Sequence, residues 1–327
     1  MAILFVGSRA VDLGGACVSN TSPTYYDADY SFEAAQVSAI FNGGSNGFNI
    51  YHEASVSDTT WYHFYVRTGG YLNGYSDNDG YWFTIRNAAG DIVCRWDILD
   101  GNQRSQVFGD TTAQGPDFSL PERTKLTVDV KVVVNTDITM ECYINGSLMS
   151  SVTVANTGGK LGPTLISMEH EKMVYTISGD KFYYSEFVVT DNESTMNWRI
   201  STLFPASQGT YDEWAGGYND IVNFNDGLSM STPSANKKES WGLSTYLGPA
   251  STSRVRALVT SFIGDKGQTG PTKITPFIRH DSVDVDGSPL EPDGKRLLSI
   301  LTNNPQTGLP WDTADLATLE IGVKSST

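Results

Sequence analysis

The sequence predicts an all-β protein built as a sandwich, and three observations carry that prediction. Between Lys125 and Val154, Leu126, Val128, Val130, Val132 and Val134 alternate with polar residues, and so do Ile138, Met140, Cys142 and Ile144. A period of two marks half-buried strands. Ile144 runs into Asn145-Gly146, the dipeptide suited to the positive-φ positions of a type I′ turn, after which Leu148, Val152 and Val154 resume the alternation. Second, turn clusters punctuate the chain at Asn42-Gly43-Gly44, Asp77-Asn78-Asp79-Gly80, Ala89-Gly90-Asp91, Asn156-Thr157-Gly158-Gly159 and Ser178-Gly179-Asp180. Third, helical periodicity is confined to Thr313–Glu320, at most two turns, with Asp312 as N-cap. Many short strands without crossover helices point to a sandwich.

Trp61 to Arg67 and Tyr81 to Arg86 read as aromatic-rich strands, and Asp91 to Ile98 carries Ile92, Cys94, Trp96 and Ile98 on one face. Lys181 to Thr190 is mostly apolar on both faces, which predicts a central strand or one beneath a loop. The polar turn Asp191 to Thr195 is the expected boundary, giving domains 1–195 and 196–327. The second is rich in Gly, Ser, Asn and aromatic residues over 205–250. Its clear strands are Arg254–Ile263 and Thr275–His280.

Composition limits function. Over 327 residues the chain is 39% apolar and 18% charged, with 22 Lys plus Arg against 37 Asp plus Glu and a net charge of −15. Such a field repels phosphate backbones and anionic lipid, so neither nucleic acid nor membrane insertion is expected. Cys17, Cys94 and Cys142 are scattered, without metal-site spacing; Cys94 and Cys142 fall at inward phases and read as small core residues. The start, Met1 to Gly7, lacks a charged leader and a long apolar run, so synthesis in the cytoplasm is expected.

Catalytic patterns are weak. A glycan hydrolase needs two carboxylates across the scissile bond, and the nearest approach, Glu169-His170-Glu171, reads as a solvated strand end. Asp129 and Glu141 sit at the polar phase of neighbouring strands, ordinary wet-face positions. His52, His63, His170 and His280 share no short spacing, and His63 reads as a structural hydrogen-bonding residue. Asp77–Gly80 and Asp284–Gly287 resemble pieces of calcium loops but lack the spaced ligand series, and Asp and Gly also make tight turns. No catalytic residue, cofactor or metal is expected, with calcium at the Asp77 turn the nearest candidate.

Aromatic residues remain. Tyr71, Tyr75, Tyr81 and Trp82 surround the Asp77 turn, and Trp214, Tyr218, Phe224 and Trp241 recur in the second domain. Aromatics beside acids and amides build sugar sites and also subunit interfaces. Tyr75, Asp77, Asp79, Trp82, Trp214 and Tyr218 are therefore the candidate glycan or interface contacts.

Trp61-Tyr62-His63-Phe64, the Tyr143-Ile144-Asn145-Gly146-Ser147 tip and Tyr183–Asp191 resemble concanavalin A-like, laminin-G-like jelly rolls of tailed-bacteriophage virion proteins. The second domain resembles the region C-terminal to that module in such proteins. It has Pro205 and Gly209 ahead of Trp214, Asn225-Asp226-Gly227, Arg254–Val259, then Asn304–Trp311, the short helix and Glu320–Val323. The resemblance implies a jelly-roll sandwich followed by a smaller loop-rich β-sandwich domain. It also implies a non-enzymatic virion structural protein associated with the tail as fibre, tip or adhesin, with a host-surface glycan as ligand. Capsid decoration or a head fibre is the alternative within that class; a free-standing carbohydrate-binding module or glycan hydrolase is the alternative outside it. The expected partners are other virion proteins and further copies of itself, with a homotrimer the form such fibres often take.

Overall fold

The computed structural model describes residues 2–15, 17–38, 47–69, 80–99, 102–171, 181–222, 228–246, 254–294 and 296–327. It is all-β and divides into two compact units, Met1–Ile200 and Ser201–Thr327. The division falls after Ile200 and not after Thr195, because residues 195–200 are bound to the first unit. Thr195 Oγ1 donates to Asp129, and the Arg199 guanidinium grips Glu186 and Asp27 at 2.7–2.8 Å.

In the first unit the strands run β1 (Ala2–Gly7), β2 (Val18–Asn20), β3 (Ala34–Ser38), β4 (Phe48–Tyr51), β5 (Thr59–Arg67), β6 (Gly80–Asn87) and β7 (Ile92–Leu99). They continue as β8 (Asn102–Phe108), β9 (Thr112–Gln114), β10 (Lys125–Val134), β11 (Asp137–Ile144), β12 (Ser147–Ala155), β13 (Pro163–Glu171) and β14 (Lys181–Asp191). One helical turn, α1 (Ala10–Leu13), comes after β1. An eight-stranded sheet has the order β12-β11-β10-β5-β14-β3-β2, with β1 also on β14, and a six-stranded sheet has the order β4-β13-β6-β7-β8-β9. Every strand pair is antiparallel.

Alternation explains the core. Val128, Val130, Val132, Ile138, Met140 and Cys142 turn inward with Tyr62, Phe64 and Val66, and meet Phe83, Ile85, Cys94, Trp96, Ile166 and Met168 of the other sheet. The β11–β12 turn has Asn145 at φ 48° and Gly146 at φ 76°, as the dipeptide predicts. Leu148 departs from expectation and is exposed, because a bulge skips Met149 and leaves Leu148 opposite Tyr143. β14 is central and buried from Phe182 to Asp191.

Asp129 does not lie on a wet face. It is 1% exposed, with its Oδ1 2.9 Å from His63 Nδ1 and 2.7 Å from Thr195 Oγ1. The segment after β14 covers this part of the outer face, and the Arg199 guanidinium stacks 3.7 Å from the Tyr30 ring. Burial makes the Cys94 and Cys142 thiols hard to ionise and pushes Cys17 up to about 12.

The second unit carries β15 (Pro205–Asp212), β16 (Lys238–Leu243), β17 (Leu258–Ile263), β18 (Lys273–His280), β19 (Val283–Asp286), β20 (Arg296–Leu301) and β21 (Glu320–Ser326). A five-stranded sheet runs β15-β16-β21-β18-β19, and β17 pairs with β20 in a second, two-stranded sheet. A short helix, α2 (Asn219–Val222), comes after β15. The expected C-terminal helix is a 3₁₀ segment, Thr313–Thr318, capped by the Asp312 side chain accepting from Ala314 N at 2.9 Å. The Asn304–Trp311 stretch is a closed loop: Gly308 N donates to Asn304 O at 2.8 Å, and buried Trp311 donates through Nε1 to Leu301 O. Among the described residues, no helix is long and apolar enough to cross a membrane.

Candidate functional site

The face of the six-stranded sheet turned away from the core bears the candidate site. Pairing registers Asn49 with Ser167, Ser167 with Thr84, Thr84 with Arg95, Arg95 with Gln106 and Gln106 with Gln114. One row thus crosses β4, β13, β6, β7, β8 and β9 with a polar side chain on every strand. The cause is the alternation itself: with Phe83, Ile85, Cys94, Trp96 and Val107 buried inside, their neighbours must point out.

The row is cross-linked. Ser167 Oγ donates to Asn49 Oδ1, and Thr84 Oγ1 donates to Glu169 Oε2 at 2.8 Å. Arg95 is held from two sides, Nε donating to Asp97 Oδ1 at 2.5 Å and Nη2 to Gln106 Oε1 at 2.6 Å. Its guanidinium carbon lies 3.9 Å from the Tyr81 ring centroid and 5.3 Å from that of Phe108. Arg104 donates to Asp117 at 2.6 and 3.0 Å and to Gln114 at 2.8 Å. Thr84, Asp97 and Gln106 form a buried floor, Tyr81, Arg86, Arg95 and Glu169 are half-buried, and Tyr51 stands at one margin 69% exposed. Fixed donors, fixed acceptors and aromatic edges on a rigid sheet suit a ligand with many hydroxyl groups and apolar ring faces.

The sequence-predicted contacts fare differently. Tyr75, Asp77 and Asp79 lie outside the described residues, as do Tyr71 and Phe224. Trp82 is corrected from contact to core. A bulge between Tyr81 and Phe83 turns it inward, where it is 0% exposed, donates through Nε1 to Tyr184 Oη at 2.5 Å and packs edge-on against Trp96. A side chain without exposed surface cannot stack on a sugar. Trp214 and Tyr218 belong to the second unit and pack half-buried against its Trp241, Ile274 and Val323 cluster, with Trp214 Nε1 donating to Lys237 O. Glu169 is not a freely solvated strand end, since it accepts from Thr84 and pairs with Arg86 at 3.5 Å.

Asp284 and Asp286 are strand residues engaged by cations. Burial pushes the Asp284 carboxyl up, but Lys238 at 2.5 Å, Tyr211 Oη at 2.6 Å and Arg279 at 2.6 Å outweigh it and hold it below the usual range. Asp286 pairs with Lys324 at 2.9 Å. Among the described residues, no group of three or more His, Cys, Asp or Glu is arranged to hold a metal ion.

Sequence reasoning misses Arg95, Asp97, Gln106 and Asn49. The alternation of Cys94 and Trp96 already places Arg95 and Asp97 on the opposite face; their neighbours across the sheet require the register.

No family model matches the chain, and no curated protein matches it. Among solved structures it is similar to the cellulose-induced protein Cip1, at 12% identity and TM-score 0.40 over 57% of this chain and 90% of that one. It is also similar to the botulinum neurotoxin serotype D ligand-binding domain in complex with N-acetylneuraminic acid, at 11% and 0.42 over 94% and 80%. A third likeness is to endo-β-1,4-glucuronan lyase from the fungus Trichoderma reesei, at 8% and 0.41 over 58% and 96%.

Proposed function

We propose that the protein is a non-enzymatic, glycan-binding structural component of a tailed-phage virion, associated with the tail, and that it binds through the outer face of the six-stranded sheet. The observation that carries the glycan reading is the unbroken polar row from Asn49 to Gln114, flanked by Tyr51, Tyr81 and Phe108. The virion assignment rests on the resemblance of the hairpin tip, the Tyr183–Asp191 strand and the Asn304–Trp311 loop to phage proteins. The non-enzymatic reading is supported by the engagement of the described carboxylates of the face, Glu169 with Arg86, Asp97 with Arg95 and Asp117 with Arg104.

The test is retention of the purified chain on a glycan panel, with reducing-end release measured in parallel. Retention without turnover, lost in Tyr81→Ala, is the expected result; turnover abolished by Glu169→Gln would replace it with a hydrolase. Immunogold labelling of particles carrying the gene product should mark the tail, and label over the capsid would reassign it to decoration.

A further inference from the structure

We infer that the ligand of this face is an extended, uncharged glycan, not a uronate- or sialate-bearing one; the inference rests on the glycan reading of the same site. Three arginines, Arg86, Arg95 and Arg104, stand on three successive strands and suggest at first a polyanion site. The structure gives each its own carboxylate: Arg86 with Glu169 at 3.5 Å, Arg95 with Asp97 at 2.5 Å and Arg104 with Asp117 at 2.6 Å. Among the described residues these three cations and three anions cancel, so the described strip offers a carboxylate no net charge.

An anionic sugar would have to displace Asp97 from Arg95 while lying beside it. Asp97 is 9% exposed, so an incoming carboxylate would be set against a desolvated charge of its own sign. The chain's net charge of −15 adds a long-range field of the same sign as the ligand.

A neutral glycan meets no such obstacle. Asn49, Ser167 and Gln114 are amides or hydroxyls with exposed surface, each able both to donate and to accept, which matches the dual character of a sugar hydroxyl, while Thr84 and Gln106 lie buried beneath and hold Glu169 and Arg95 in place. Asp97 and Glu169 accept, and Arg95 and Arg104 donate, at fixed points among them. Six strands at about 4.8 Å spacing make the row roughly 24 Å long, which suits a chain of several sugars better than one terminal residue.

The experiment is affinity electrophoresis of the full chain through gels containing a neutral β-glucan, a neutral galactomannan, a polyuronate or a sialylated polymer, at low and at physiological salt. The expected result is retardation by a neutral polymer that salt does not change, weakened roughly tenfold by Tyr81→Ala or by Gln106→Glu, with unfolding curves recorded for each variant. Asp97→Asn removes the carboxylate that neutralises Arg95 and leaves the described strip with a net positive charge, so it should acquire salt-sensitive retardation by polyuronate that the parent lacks. Salt-sensitive retardation of the parent by polyuronate or sialylated polymer would overturn the inference and leave the glycan reading standing. Retardation by none of the polymers would overturn the reading itself, and neutral binding unaffected in correctly folded variants would move the site elsewhere.

Discussion

His63 Nδ1 and Asp129 Oδ1 lie 2.9 Å apart between neighbouring strands, with His63 0% and Asp129 1% exposed, and Thr195 Oγ1 completes the group at 2.7 Å. The pair joins β5 to β10 on the outer face of the eight-stranded sheet, and Thr195 ties to it the segment that leaves β14.

Replacing Asp129 by Ala removes the acceptor that both His63 and Thr195 use, leaving two buried polar groups unsatisfied. We expect a loss of about 2–3 kcal/mol, read as a lower urea midpoint of the full chain. An unchanged midpoint would mean that the pair adds nothing to stability.

Tyr81 and Trp82 are adjacent yet face opposite ways. Trp82→Ala opens a cavity beside Trp96 and Tyr184 and should cost about 3–5 kcal/mol, whereas Tyr81→Ala should stay within roughly 1 kcal/mol and act on glycan retention. Thermal melts of the two variants separate these effects, and equal melting temperatures would contradict the inward placement of Trp82.

Gly47 precedes β4 where a Cβ would stand 1.4 Å from the Met168 carbonyl oxygen. Gly47→Ala should therefore push β4 off β13, since no rotamer relieves a clash with backbone. Hydrogen exchange at Ile50 and His52, whose amides face β13, should rise well above that of β6 in the same variant, and equal protection would refute the close approach.

In the second unit the Asp284 carboxyl is held below its ordinary value by Lys238, Tyr211 and Arg279 despite its burial. A depressed folded value contributes stability that is present above the unfolded value of about 3.9 and is lost as pH falls through the folded one. Urea midpoints of the full chain should fall between about pH 4 and pH 2, and Asp284→Asn should start lower, by about 1–2 kcal/mol, and fall less steeply. Parallel curves for the two proteins would exclude Asp284 as a source of the acid dependence.

Features set by neighbours along the chain are legible in the residues alone. The alternation of β10 and β11 and the Asn145-Gly146 turn need only nearby residues, and the Asp312 cap lies beside the segment that it starts. Asp129 escapes such a reading because its phase is outward, as predicted, but a segment some sixty residues later covers it. Trp82 and Leu148 escape it because each adjoins a bulge, which shifts the alternation without a clear mark in the residues themselves. The polar row is half visible. Arg95 and Asp97 can be assigned to the outer face, but the continuation of the row onto β13 and β4 joins strands far apart in sequence, and Tyr81 adjoins the bulge before Phe83.

The pairing of β1 with β14 has a consequence for the order in which the protein is made. Ala2 lies opposite Asp191, and Trp61 lies between Lys131 and Thr190, so the middle of the larger sheet has no complete set of neighbours until Asp191 has left the ribosome. At roughly 5–20 residues per second that is on the order of ten to forty seconds after β1 emerges. Throughout that interval the Leu4-Phe5-Val6 stretch waits without its partner strand, and nascent-chain protection by a chaperone should end abruptly once β14 becomes available.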